Sequence, residues 1–436
     1  MKMYRDHKVN AMRTKVALLV LCLWLWPASA SAQVVFVKAG RVVDTDGGTV
    51  QSDQNILIRD GKIEAVGKSL AIPAGAKVVD LSNMTVLPGL IDCHTHVADP
   101  PNADPLTSLT KTSVESAFEA IPNAAKALLS GFTTVRDVGV YRALTDVAMR
   151  DAIARGDIVG PRMYVAGAYI TITGGAGAMT GVAPDIKLPL DLRYGEANSP
   201  WEVRQRIRDL VSQRVDLIKV LSTGAVLTHN SNPRSDEFTP EELQAAVDEA
   251  SHFGLKVAAH AHSPTGIKNA IRAGVASIEH ATLIDDEGIA LAKQRGTYLD
   301  MDIYDEECIQ AKGLQNAIPK DFLEHDAQLG AIQRENFRKA VRAGVKMAFG
   351  TDAGVCPHGI GARQFAFMVN YGMTPMQAIQ SATSAAADLL GHANELGSIK
   401  TGKWADLIAV NGDPLNDIRV LENVKFVMKA GMIYKQ

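Results

Sequence analysis

Residues 255–281 read LKVAAHAHSPTGIKNAIRAGVASIEHA. A short apolar run ends in His260 and His262. A helix-like stretch follows, with Ser263 and Pro264 at its start and Gly274 at its end. A second short run then ends in His280. Buried strand, amphipathic helix and buried strand together form the repeating unit of a parallel sheet. The same pattern continues in both directions. Upstream lie TVLPGLIDCHTH (85–96), GFTTVRDVG (131–139), RMYVAGAYI (162–170) and VDLIKVLSTG (215–224). Downstream lie TYLDMDIY (297–304) and VKMAFGTDAG (345–354). Helical stretches such as PEELQAAVDEASHFG (240–254) separate most of these runs. Eight α/β units over residues 87–395 predict a closed (β/α)8 TIM barrel.

The flanks read differently. From Val34 to Val86, alternating runs such as VVFVKAGRVVD and NILIRDGKIEAVG are separated by the turn pairs Asp46-Gly47 and Asp60-Gly61. The last forty residues, with ADLIAVNGDPL and VKFVMKAGMIY, follow the same style. The matched runs KAGRVVD (38–44) and KAGMIYK (429–435) predict a single domain built from both ends. Its expected form is a β-sandwich from 33–86 and 396–436.

The amino terminus reads as a leader. Lys2, Arg5, Lys8, Arg13 and Lys15 precede eleven apolar residues, Val16–Trp26, and then Pro27 and Ala28-Ser29-Ala30-Ser31-Ala32. This is the layout of a secretory signal peptide over 1–32, and the expectation is an exported protein with no stable membrane insertion after cleavage. The apolar run falls short of the ~20 residues of a standard transmembrane helix. The full chain carries 45 basic and 48 acidic residues; without 1–32 the balance is 40 against 47. No basic excess supports nucleic-acid binding. Cys93, Cys308 and Cys356 remain, an odd number, and no structural disulfide is expected.

Polar residues gather at the C-terminal ends of the apolar runs: His94, His96, Lys219, His260, His262, His280 and Asp352. A barrel carries its active site on that face. A lone strand histidine is usually a satisfied core residue; five strand ends sharing the feature are not. Imidazole and carboxylate suit Zn²⁺ and comparable divalent ions, including Mn²⁺ and Co²⁺. His94 and His96 point to one side, since the side-chain period of a strand is two. An ammonium ligates no metal, but burial lowers the pKa of Lys219. A neutral amine there can add carbon dioxide and become a carbamate; a salt bridge or a substrate contact is the other reading.

Together, VLPGLIDCHTHV (86–97), the isolated lysine of LIKVLSTG, AAHAH, IEHA and GTDAG resemble the amidohydrolase superfamily, in order. GKWADL (402–407) resembles its small β domain. The combination is most similar to the imidazolonepropionase-related branch, with its prolidase-like dipeptidases, Xaa-Lys/Arg carboxypeptidases and ochratoxin-hydrolysing enzymes. The resemblance implies two divalent metals, zinc the first expectation. His94, His96 and Asp352 would hold one metal, and His260 and His280 the other. N6-carboxylated Lys219 would bridge them. His262 would contact substrate, although the roles of His260 and His262 can be exchanged. Relatives also imply a homo-oligomer, some of them octamers.

The reaction so implied is attack of a metal-bridging hydroxide on an amide whose leaving group is a C-terminal amino acid, ochratoxin A being one such substrate. Asp352 would carry the proton to the leaving nitrogen, and His262 would support the oxyanion. The alternative is a mononuclear deaminase or cyclic-amide hydrolase, in which Lys219 has no bridging part. The partner is a small molecule or short peptide with a terminal carboxylate. His229, Arg234, Tyr304 and Arg193 are candidates for its recognition, and Val226, Leu227 and Phe238 for an apolar wall. The stretch Thr173-Gly174-Gly175-Ala176-Gly177-Ala178 departs from the family, where many relatives carry His in place of Ala176. It is no P-loop, since no Lys-Ser/Thr follows.

Overall fold

The computed structural model describes residues 33–99, 105–312 and 320–436. The expected leader, residues 1–32, lies outside the described residues. No helix among the described residues is long and apolar enough to cross a membrane.

Four strands open the described chain: β1 (Val34–Asp44), β2 (Thr49–Arg59), β3 (Lys62–Gly67) and β4 (Lys77–Pro88). Nine follow on the eight apolar runs: β5 (Leu90–Thr95), β6 (Phe132–Asp137), β7 (Arg162–Val165), β8 (Tyr169–Ile170), β9 (Leu217–Leu221), β10 (Lys256–Ala261), β11 (Ser277–His280), β12 (Tyr298–Asp300) and β13 (Met347–Ala348). Three close the chain: β14 (Leu407–Val410), β15 (Phe426–Lys429) and β16 (Met432–Lys435).

The middle strands form two parallel sheets, β5-β6-β7 and β13-β12-β11-β10-β9-β8. Every residue of β5, β6 and β9 is buried, the polar ones included, as in parallel strands covered on both faces. The third run divides into β7 and β8 around Gly167 (φ +78°), whose N–H leaves the ladder and donates to Asp146 Oδ2 at 2.7 Å. On its other side β5 meets the segment after β13: Cys93 N–H donates to Phe349 O at 2.7 Å, and Thr351 N–H to His94 O at 3.3 Å. The helices between strands start where the sequence signals them. Ser263 Oγ caps the helix Pro264–Ala273 through Gly266 N–H, and Thr239 with Glu242 makes a capping box on Pro240–His252.

Both ends of the chain enter one seven-stranded sheet, in the order β16-β15-β14-β4-β1-β2-β3. The strands pair in one continuous hydrogen-bonded row. Val37, Ile56, Ile58, Leu407, Phe426 and Met428 form its buried face. β4 runs straight into β5 through Gly89, where a Cβ would lie 2.1 Å from Thr133 Oγ1. The terminal sheet is thereby anchored to the strand that carries His94.

One expectation is corrected. Cys308 and Cys356 form a disulfide, with Cα atoms 6.2 Å apart; Cys93 is free and buried. The odd count hid the pair because the partners are 48 residues apart in sequence. They meet only when the helix Asp305–Lys312 lies against the loop after β13.

Candidate metal centre

The strand ends converge as expected. His94, His96, Lys219, His260, His262, His280 and Asp352 all line one cavity, at the C-terminal ends of the parallel strands. Candidate ligand atoms of His260, His262 and His280 lie within 4.8 Å of one another, as do those of His94, His280 and Asp352. Asp352 Oδ1 is 3.4 Å from His94 Nε2 and 3.1 Å from His96 Nε2.

One nitrogen of each imidazole faces a protein partner, through a hydrogen bond in all but His94. His96 Nδ1 lies 2.8 Å from Gly139 O, and His262 Nδ1 2.8 Å from Thr282 Oγ1. His280 Nδ1 lies 2.8 Å from Asp302 Oδ2, and His94 Nδ1 3.3 Å from Glu279 Oε2. His260 uses Nε2, 3.2 Å from Gly224 O. This is how metal-binding imidazoles are oriented, one nitrogen held by an outer partner and the other presented to the ion. Asp352 Oδ1 is buried with no hydrogen bond, as an atom reserved for an ion would be.

The backbone supports this arrangement. His280 (φ +67°) and Asp352 (φ +48°) adopt the left-handed conformation that L-residues rarely take. Asp92 accepts hydrogen bonds from Thr351 Oγ1 at 2.6 Å and from Thr351 N–H at 3.2 Å, which aims the next residue, Asp352, into the cavity.

Lys219 is fully enclosed, at 2% exposure. Burial holds its pKa below the ordinary lysine value, with Glu279 and Asp352 opposing. No hydrogen bond or ion pair reaches its Nζ among the described residues, so the salt-bridge reading has no partner here. Burial and the neighbouring imidazoles hold His260 and His262 well below the ordinary histidine value. Burial and Lys219 bring His94 down to about 4. In His96 burial is outweighed by Asp352, and the value rises to about 9. In Asp352 burial is outweighed by His94 and His96, which hold its carboxyl well below the usual range.

Sequence reasoning missed the layer beneath. Arg136, in β6, is buried and donates from Nη2 to both oxygens of Glu279 at 3.0 Å and from Nη1 to Ser277 Oγ at 3.0 Å. Asp300 Oδ2 lies 3.4 Å away. The guanidinium thus holds Glu279, which holds His94. The one available signal was charge inside the apolar run GFTTVRDVG. Arg136→Met should lower unfolding free energy by about 3–5 kcal/mol, because it strands buried carboxylates. Urea denaturation measures it; a loss below about 1 kcal/mol would remove Arg136 as their counter-ion.

The substrate candidates fare differently. None of His229, Arg234, Tyr304 and Arg193 is among the cavity-lining residues. The His229 ring lies tilted against Phe322, with ring centroids 5.0 Å apart. Arg234 is exposed on its loop. Tyr304 is buried beside Phe367, and its hydroxyl accepts from Arg363 Nη1 at 3.3 Å. Arg193 is bound to Glu196 at 2.6 Å, in a separate surface depression. Their position near strand ends was legible, but side-chain direction in a loop was not. Val226 and Leu227 do line the cavity, whereas Phe238 does not. Ala176 lines it as well, and its N–H is held by the Glu237 carboxylate at 2.9 Å.

A parallel α/β scaffold with histidines, a buried lysine and an aspartate at its strand ends defines the metal-dependent hydrolase class. Residues 85–434 match the amidohydrolase family, and the chain belongs to it. It is therefore a hydrolase of amide-type bonds. The chain is 31% identical over 428 residues to ochratoxinase of Aspergillus niger, covering 93% of this chain and 87% of that one. The crystal structure of A. niger ochratoxinase superposes with a TM-score of 0.82 at 30% identity, over 93% of this chain and 96% of that one. The crystal structure of a Xaa-Pro dipeptidase with methionine bound in its active site superposes with a TM-score of 0.87 at 39% identity, over 93% of this chain and all of that one.

Proposed function

We propose that the protein is a binuclear metal-dependent amidohydrolase that releases a C-terminal amino acid from an amide, in the manner of a carboxypeptidase or dipeptidase. One observation carries the reading: a buried lysine without a partner among the described residues sits among five histidines and an aspartate. His94, His96 and Asp352 would hold one divalent ion, His260 and His280 the other, and carboxylated Lys219 would bridge them. Bound there, the metals supply Lewis acidity toward the carbonyl and lower the pKa of water. His262, buried and oriented by Thr282, donates from Nε2 to the oxyanion. Asp352 takes a proton from the attacking water and delivers it to the leaving nitrogen.

The scaffold behind this reading is a closed barrel with a β-sandwich from both ends. The hydrogen bonds between β5 and residues 349–353 support closure. Export by residues 1–32 belongs to the same proposal, and a disulfide suits an oxidising compartment.

The test is metal content beside hydrolysis by the chain starting at residue 33. The panel is dipeptides and N-acyl amino acids with Phe, Leu, Pro, Arg and Lys leaving groups, with ochratoxin A included. About two metals per chain and a free C-terminal amino acid are expected. One metal or none, with no amide cleaved, would transfer the weight to a mononuclear deaminase or cyclic-amide hydrolase.

A further inference from the structure

The cavity has one acidic wall, of which the candidate metal centre engages Asp302 alone. Asp302, Asp305, Glu306 and Asp326 all line it, and Lys219 is the one Lys or Arg among its described lining residues. Three of the four acids have partners. Asp302 accepts from Gln333 Nε2 at 2.9 Å and faces His280; Glu306 pairs with Arg334 at 2.9 Å; Asp326 accepts from Gln310 at 2.8 Å. Asp305 has none. It is 9% exposed, and the atom nearest its Oδ1 among its polar contacts is Cys356 Sγ at 2.9 Å. That sulfur lies in the disulfide and has no proton to donate. Carboxylate oxygens of Asp302, Asp305 and Asp352 lie within 4.8 Å of one another.

A buried carboxylate surrounded by carboxylates calls for a cation. A third metal fits poorly, since both oxygens of Asp302 are already engaged and Asp352 Oδ1 faces His94 and His96. An ammonium fits better, because it brings three donors and needs one strong acceptor. Its source follows from position. Asp352 works at the scissile bond, and Asp305 is its neighbour. In a dipeptide the free α-amino nitrogen is two bonds from the scissile carbonyl carbon. A lysine side-chain nitrogen lies four methylene groups further out.

We propose that Asp305 receives the α-ammonium of the substrate's amino-terminal residue, so that the enzyme prefers unblocked dipeptides to N-acyl amino acids. This rests on the amidohydrolase reading above and names the substrate class within it. Ochratoxin A, whose acyl group has no amine, is then a secondary substrate.

The test reads binding, independently of turnover. A phosphonamidate dipeptide isostere is titrated calorimetrically with a free amine and again N-acetylated. The wild-type holoenzyme should bind the free amine at least about tenfold more tightly, the yield of one charge-assisted hydrogen bond. Asp305→Asn should close that gap to about twofold at unchanged metal content. Equal affinities in the wild type would overturn the assignment without any variant, as would loss of metal from Asp305→Asn. A protein that shows the gap yet cleaves no dipeptide would retain the ammonium site and remove the amidase reading instead.

Discussion

Asp352→Asn should lower kcat by about 10²–10⁴-fold, the usual contribution of a positioned proton carrier. The substitution suits the backbone. Asp352 has φ +48°, a conformation asparagine tolerates as well as aspartate does. The hydrogen bonds that set the segment come from Thr351 to Asp92 and are left in place. The melting temperature of the metal-free protein should nevertheless fall, because His96 loses the buried carboxylate it faces. What goes is the charge that faces His94 and His96 and the oxygen that can hold a proton. Steady-state hydrolysis of the best panel substrate, beside metal content, measures it. A variant keeping a tenth or more of the wild-type kcat would exclude Asp352 as the proton carrier.

Lys219→Met should cost at least one metal per chain and at least about 10²-fold in activity. Methionine is close in volume and leaves no cavity of note. It also removes an amine that has no partner, so the metal-free variant should be as stable as the wild type or more so. A lysine held by a structural salt bridge would give the opposite result: a lower melting temperature and intact metal content. The carbamate itself has a further signature. Reconstitution of metal-free enzyme should accelerate with added bicarbonate, and a short carboxylic acid should partly restore a Lys219→Ala variant. Bicarbonate-independent reconstitution would leave Lys219 without its bridging role.

Lys219 and Asp352 both stand out in the sequence, and the reason is chemical. Lys219 interrupts a fully apolar run, and Asp352 ends one. Polar groups at such positions are costly to bury without a use. Arg136 interrupts an apolar run in the same way, yet its role was not legible. Its partners Ser277, Glu279 and Asp300 come from two other strands, and only the pairing of β6, β11 and β12 into their sheets brings them together.

The loops mark the limit of the sequence reading. Arg193 was a reasonable carboxylate partner by type, but Glu196 three residues on takes its guanidinium. Asp305 belongs to a run of three acids, Asp305-Glu306-Glu307, that reads as the ordinary acidic first turn of a helix. Nothing local separates it from its neighbours. It stands apart because the disulfide, Asp302 and Asp352 enclose it.

The eight apolar runs, their alternation with helices, the β-rich ends and the histidine, lysine and aspartate set at the strand ends are legible along the chain. Each follows from local period and residue type, which are properties of short segments. Tertiary structure alone decided the single row of seven strands, the Cys308–Cys356 bond, the Arg136 layer under the histidines and the unpaired carboxylate of Asp305. Those depend on which distant segments become neighbours, and on which buried charges then find partners.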